Sequence, residues 1–206
     1  MELTASQKDT MAELINIGYA RAAGALSDLT GHRISLAVPE VAIHEIEKIT
    51  PLLHNVIEGE VTSVNQIFGG TISGNAILLL DKAAALLLNQ LLTDRPQAVG
   101  ALDDSAREVI IEVGNIVLNA CLGVFGNLLQ VQITFSVPHL HIDDIEHIMR
   151  SIRIENQSFE YALMIHTRFH LRASDVSGYL VIILGVTSLE RVLVELRKWE
   201  ERELSR

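Results

Sequence analysis

Glu13-Leu14-Ile15-Asn16 is followed, after 22 intervening residues, by Pro39, and the chain writes this pattern a second time: Glu112-Val113-Gly114-Asn115, the same 22 residues, then Pro138. Glutamate, asparagine and proline are each displaced by 99 residues, and so is the glycine between them, Gly24 becoming Gly123. Residue types that each occur at roughly 5% make one chance triplet roughly a one-in-ten-thousand event per start position. Two copies in one register mark an internal repeat.

The hydrophobic pattern around each copy repeats as well. Met11, Ile15, Gly18, Ala22, Ala25 and Leu29 recur at steps of four and three, which predicts an amphipathic helix from about Ser6 to Leu29. Ser6 is its expected N-cap, with Asp9 in a capping-box-like position, and Gly31 its end. Arg33 to Val38 then alternates as a strand that Pro39 closes. In the second copy Ile110, Gly114, Val117, Cys121, Val124 and Leu128 form the matching stripe, Gln132 to Val137 the strand and Pro138 its stop. Small residues on both stripes predict that the two long helices pack closely on each other or on one sheet.

A further element is duplicated. Ser73-Gly74 leads an apolar strand into a helix from Lys82 to Leu92, and Ser177-Gly178 leads another into a helix from Ser188 to about Arg202. The segments before them, Val56 to Phe68 and Glu160 to Leu171, read as strands, with Phe68-Gly69-Gly70 and Ser174-Asp175 as turns. The connections are too short for parallel crossovers, so the sheet is expected to be antiparallel or mixed. The expected fold class is α/β (α+β): a pseudo-two-fold duplicated sandwich of a mostly antiparallel sheet with two long central helices. Asp94-Arg95-Pro96 to Gly100 is only a short polar break, so residues 1–206 read as one domain of two intertwined repeats, about 6–94 and 101–206.

Composition narrows the function. Hydrophobic residues make up 49% of the 206 and charged residues 20%, a globular composition. A formal net charge of -10 repels phosphate backbones and anionic lipid, which argues against nucleic acid and membrane partners. Cys121 is the single cysteine, so neither an internal disulfide nor a thiolate metal cluster can form. Met1 to Met11 lacks a signal-peptide core, uninterrupted apolar runs are too short to span a bilayer, and the Asn156-Gln157-Ser158 sequon reads as accidental. The expectation is a cytoplasmic protein.

On a helix, residues three apart share a face, so Glu13 stands beside Asn16 and Glu112 beside Asn115, away from the apolar stripes. Asp9 and Glu108 extend each pair by a turn. A carboxylate can grip a partner's cation while an amide holds a water at a set angle. Glutamate alone would be an ordinary solvated helix residue. Asparagine is a poor one, because its side chain competes for backbone hydrogen bonds, and two at matched positions bring no structural return. Other constellations favour structural readings. The glycines at 69, 70 and 74 lack the Lys-Ser/Thr of a phosphate loop. His139, His141 and His147, near Asp143, Asp144 and Glu146, read as a polar loop and helix start ahead of a metal site. Cys121 reads as a small buried hydrophobe, the Ser-His-Asp ingredients lack a nucleophile elbow, and Leu189 to Arg206 reads as a solvated terminal helix.

Asp9-x3-Glu13-x2-Asn16-x22-Pro39 and Glu108-x3-Glu112-x2-Asn115-x22-Pro138 resemble the paired signature of the CheC family of chemotaxis phosphatases, whose relatives include CheX and the phosphatase domain of FliY. The resemblance spans nearly the whole chain, and two intact copies match CheC better than the single-motif CheX. It implies a phosphatase acting on the aspartyl phosphate of a CheY-like response regulator. Glu13 and Glu112 would pair with the regulator's active-site lysine; Asn16 and Asn115 would enter its active site and orient the attacking water. The regulator would supply Mg²⁺, so no intrinsic cofactor or metal is expected. The first motif position is usually Asp or Ser; Asp9 fits and Glu108, longer by a methylene, departs. CheD is the family's usual further partner. The competing expectation is a non-catalytic module, flagellar-switch-like or CheD-docking.

Overall fold

Thr4 opens the first long helix. Its Oγ1 accepts the Gln7 N–H at 3.2 Å while Gln7 Oε1 accepts the Thr4 N–H at 3.0 Å, a reciprocal cap that satisfies two otherwise orphaned donors. The cap is therefore Thr4 with Gln7, two residues ahead of the expected Ser6 with Asp9. The helix, α1 (Ala5–Thr30), ends at Gly31, whose φ of 70° is the left-handed conformation that favours glycine. The computed structural model describes residues 4–93, 102–128, 130–155, 159–171 and 174–204; the 94–100 break and the sequon lie outside them.

After α1 come β1 (Ile34–Leu36), β2 (Glu40–Glu45), α2 (Ile46–His54), β3 (Val61–Gly70), β4 (Gly74–Asp81) and α3 (Lys82–Thr93). The same order follows in α4 (Asp104–Leu128), β5 (Ile133–Phe135), β6 (His139–Asp143), α5 (Ile145–Glu155), β7 (Phe159–Leu171), β8 (Ser174–Gly185) and α6 (Val186–Leu204). Neither proline stops the path of its strand. Leu36 pairs with Phe169 and Glu40 with His166, so residues 37–39 face only two residues of β7. Phe135 pairs with Phe68 and His139 with Asn65, so residues 136–138 likewise face two of β3. Each proline sits in a one-residue bulge, where its missing N–H is not needed, and the chain continues on the same neighbour as β2 or β6. Phe68-Gly69-Gly70 is the end of β3, not a turn: a Cβ on Gly70, at φ 126°, would lie 2.3 Å from the Gln132 carbonyl oxygen. Ser174-Asp175 likewise begins β8.

The sheet is antiparallel at every pairing and runs β1-β7-β8-β4-β3-β5, with β2 also on β7 and β6 also on β3. The outer strands are thus exchanged: those of the first copy lie on the hairpin of the second, and the reverse. At the centre Ile77 pairs with Val181, and the duplicated Ser-Gly dipeptides flank that pair. A Cβ on Gly74 would reach 2.2 Å from the Ile183 carbonyl oxygen, and one on Gly178 2.7 Å from that of Leu79. Strand β4 carries the unbroken apolar run Ala76 to Leu80 because both its faces are covered. Ala76, Leu78 and Leu80 share a core with α1, α3, α4 and α6; Ile77 and Leu79 share another with α2 and α5.

Helices α1 and α4 cross where Gly18 meets Cys121; a Cβ at Gly18 would stand 2.8 Å from the Cys121 Cα. Gly114 lets α4 settle on β3, since its Cβ would fall 2.5 Å from Val64 Cγ1. The last turn of α1 departs from the expected stripe: Ala25 is exposed and Leu29 is 60% exposed, while Ala23 and Leu26 are buried. Leu29 keeps the helical phase of Met11 yet is exposed, lining a groove with Val109 and Val113. By length and hydropathy alone Asp104–Asn127 is apolar enough to cross a membrane, with mean hydropathy 1.8. Here its apolar side is the seam against α1 and β3.

Candidate functional site

Nine residues of α1, from Thr10 to Leu26, are buried. Asp9, Glu13, Asn16, Ala20 and Gly24 occupy the opposite side of the helix and are exposed. On α4 the corresponding line is Glu108, Glu112, Asn115, Asn119 and Gly123, with the two glutamates exposed and the asparagines half-buried. Each carboxylate thus stands one turn from its amide on a surface the core does not use, as the helical spacing predicts. Asn115 is more sheltered than the repeat suggests.

The two lines differ in one hydrogen bond. Asn119 Nδ2 donates to Asn115 Oδ1 at 2.6 Å, and Asn119 Oδ1 is itself buried without a partner. The corresponding residue of the first copy is Ala20, and among the described residues the Asn16 side chain makes no hydrogen bond. Surroundings differ as well. Among the described residues α6 runs for 19 residues against 12 for α3. Its extra length brings Glu200 to the start of α1, where Oε1 accepts Ser6 Oγ–H at 2.9 Å and Thr10 Oγ1–H at 2.6 Å. The terminal helix is therefore packed rather than solvated, with Leu189, Val192 and Leu196 buried. Among the described residues a groove of about 410 Å³ lies beside the second line, where Leu29, Val109 and Val113 meet Glu108 and Glu112. Neither Asn119 nor Glu200 is legible from the repeat: position 119 has no amide counterpart, and Glu200 lies 190 residues from Thr10.

Elsewhere polar clusters have structural explanations. His139 to Asp143 is a strand rather than a loop. Asp144 Oδ1 caps α5 by accepting the His147 N–H at 2.8 Å, and His147 Nδ1 lies 3.1 Å from both Asp143 Oδ1 and Asp144 Oδ2. The Asp144 backbone N–H and His147 together hold the Asp143 carboxyl below its ordinary pKa. Cys121 is fully buried, and burial pushes its thiol up, the reverse of a nucleophile's tuning.

No protein-family model matches the chain. FliY of Thermotoga maritima superposes with a TM-score of 0.77 over 97% of this chain and 100% of its own, at 19% identity. The chain shares the fold of FliY. The FliM middle domain of H. pylori has the fold too, at a TM-score of 0.64 and 13% identity over 94% of this chain and 99% of its own. A putative chemotaxis protein from Desulfovibrio vulgaris Hildenborough matches at 0.51 and 13% identity, over 83% and 95%. The FliY fold thus agrees with the resemblance carried by the paired motifs. In sequence alone, the chain is 30% identical over 105 residues to a probable 3-isopropylmalate dehydratase large subunit of Methanothermobacter thermautotrophicus. The match covers 43% of this chain and 25% of the enzyme's length, too little of either to carry an activity across.

Proposed function

We propose that this chain is a cytoplasmic phosphatase for the aspartyl phosphate of a CheY-like response regulator. The observation that carries the reading is the duplicated carboxylate–amide pair, Glu13 with Asn16 and Glu112 with Asn115, turned outward from helices of a FliY-like fold. Phosphoryl transfer needs positioning and charge stabilisation more than covalent help, and an exposed helix face can supply the first to a partner that brings the second. Each glutamate pairs with the regulator's active-site lysine and fixes the docking register. Each asparagine then holds a water in line with phosphorus. The water oxygen bonds to phosphorus as the bond to the aspartyl oxygen breaks, leaving a free carboxylate and inorganic phosphate, with the water's proton passing to solvent. Mg²⁺ comes with the regulator. Phosphate release from phosphorylated CheY tests this directly: at substoichiometric concentration the protein accelerates release through many turnovers, and the Asn16→Ala/Asn115→Ala double variant does not. Retained activity in the double variant would overturn the mechanism.

The likeness to the FliM middle domain supports a second reading, a non-catalytic flagellar-switch module. Such a module binds without turnover, so the same assay separates the two. CheD docking would be a further property of either.

A further inference from the structure

The two lines of residues are duplicated, yet one amide is tied down and the other is not. Asn115 Oδ1 receives the Asn119 Nδ2–H at 2.6 Å, whereas Asn16 has Ala20 at the same spacing and no such bond. In this orientation Asn119 supplies the N–H and Asn115 the carbonyl oxygen, so it is the carbonyl of Asn115 that is committed. The bond carries a visible cost. Asn119 Oδ1 is left buried and unpaired, an arrangement that folded proteins keep rare. The repeat does not require it, since alanine stands at the equivalent place on α1.

We infer that Asn119 is a positioning residue that restrains the second site, so that the Asn16 site turns over faster than the Asn115 site. The inference rests on the phosphatase reading above. A water activated for attack does best by donating a proton to the amide carbonyl, which leaves its lone pairs for phosphorus; an amide N–H pointed at the water would compete for one of them. Asn16 offers an uncommitted carbonyl oxygen. At Asn115 that oxygen already holds a protein N–H, and it takes the water's proton only by sharing or breaking the bond.

The test isolates each site. Asn115→Ala leaves the first site active alone, and Asn16→Ala leaves the second. Turnover of phosphorylated CheY is then measured with kcat and KM separated. If neither single variant accelerates phosphate release, the phosphatase reading itself has failed. Otherwise Asn115→Ala is expected to turn over faster than Asn16→Ala, the reverse order overturning the inference, and Asn119→Ala in the Asn16→Ala background is expected to raise kcat by roughly two- to tenfold, the rate equivalent of one neutral hydrogen bond, with KM little changed. Asn119→Leu, which keeps bulk and cannot donate, should do the same, so a rise is not a packing artefact. The reciprocal graft, Ala20→Asn in the Asn115→Ala background, should lower kcat by a similar factor, and its exposed position leaves room for the side chain. An unchanged or reduced kcat in both Asn119 variants would overturn the inference and make the bond neutral or a pre-organising one. A graft without effect would overturn it equally.

Discussion

Asn16 stands in the middle of a 26-residue helix with no hydrogen-bond partner among the described residues, where alanine would serve the helix better. Under the proposed function, in which Asn16 serves the chemistry against its structural cost, the two readouts should separate. Asn16→Ala is expected to raise the free energy of unfolding by about 0.5 kcal/mol, the helix-propensity difference, while removing turnover at the first site. Urea unfolding together with phosphate release checks both; a variant that loses stability with its activity would point to a structural role. Asn115→Ala should gain less stability, because it also gives up the bond from Asn119. The duplicated motif made Glu13, Asn16, Glu112 and Asn115 legible as a set, because a repeat filters chance. The same filter concealed Asn119, whose counterpart is Ala20, and Glu200, which reaches Ser6 and Thr10 only through folding.

Glycines sort the helices' contacts from their open faces. At Gly18 a side chain would meet the α4 backbone, which cannot give way as a flexible side chain can, and at Gly114 it would meet the stiff, β-branched Val64. Gly18→Val and Gly114→Val should each destabilise by about 1–3 kcal/mol or more through overpacking. Gly24 and Gly123 meet nothing within 4 Å, so Gly24→Ala and Gly123→Ala should stabilise by up to about 1 kcal/mol. Denaturant midpoints of the four variants decide whether the α1–α4 crossing lies where the distances place it. Sequence periodicity exposed α1, α4, α3 and α6, because each is long and carries one apolar side. It did not expose α2, a nine-residue helix with Pro51 inside it, whose buried Ile46, Ile49 and Leu53 span barely two turns. Strands β2 and β6 were hidden behind Pro39 and Pro138, which read as stops until the register shows a bulge at each. Leu29 misled for another reason: helical phase says which way a residue faces, not whether anything is packed there.

The whole sheet depends on exchange between the halves. Because β1 and β2 pair with β7, and β5 and β6 with β3, neither half can complete its own sheet. Residues 1–97 and 98–206 expressed separately should each lack cooperative unfolding, and mixing them should restore it; a half that melts cooperatively alone would contradict this topology. Alkaline pH probes the shared core. Burial raises the pKa of Tyr19, with Cys121 adding to the effect, and burial raises that of Cys121. Both groups keep their protons in the fold and lose them in the unfolded chain near their ordinary values of 10.0 and 9.0. The stability they contribute is therefore complete below about pH 9 and declines as pH rises, with a slope approaching 1.36 kcal/mol per pH unit for each group ionised only when unfolded. Urea titrations at pH 8 and pH 10.5 should show the decline, and Tyr19→Phe should flatten it by its share. Cys121 in the native protein should resist thiol labelling at either pH.

Ile77 pairs with Val181 at the point about which the two copies are related, and each copy's outer strands lie across that point on the other's hairpin. A chain of half this length could build the same object only as a homodimer whose subunits trade strands, and its two sites would be obliged to match residue for residue. Joining the subunits end to end removes that obligation. Once both copies sit in one chain, alanine can stand at position 20 and asparagine at 119, and the two exposed lines can diverge while the sheet that unites them stays the same.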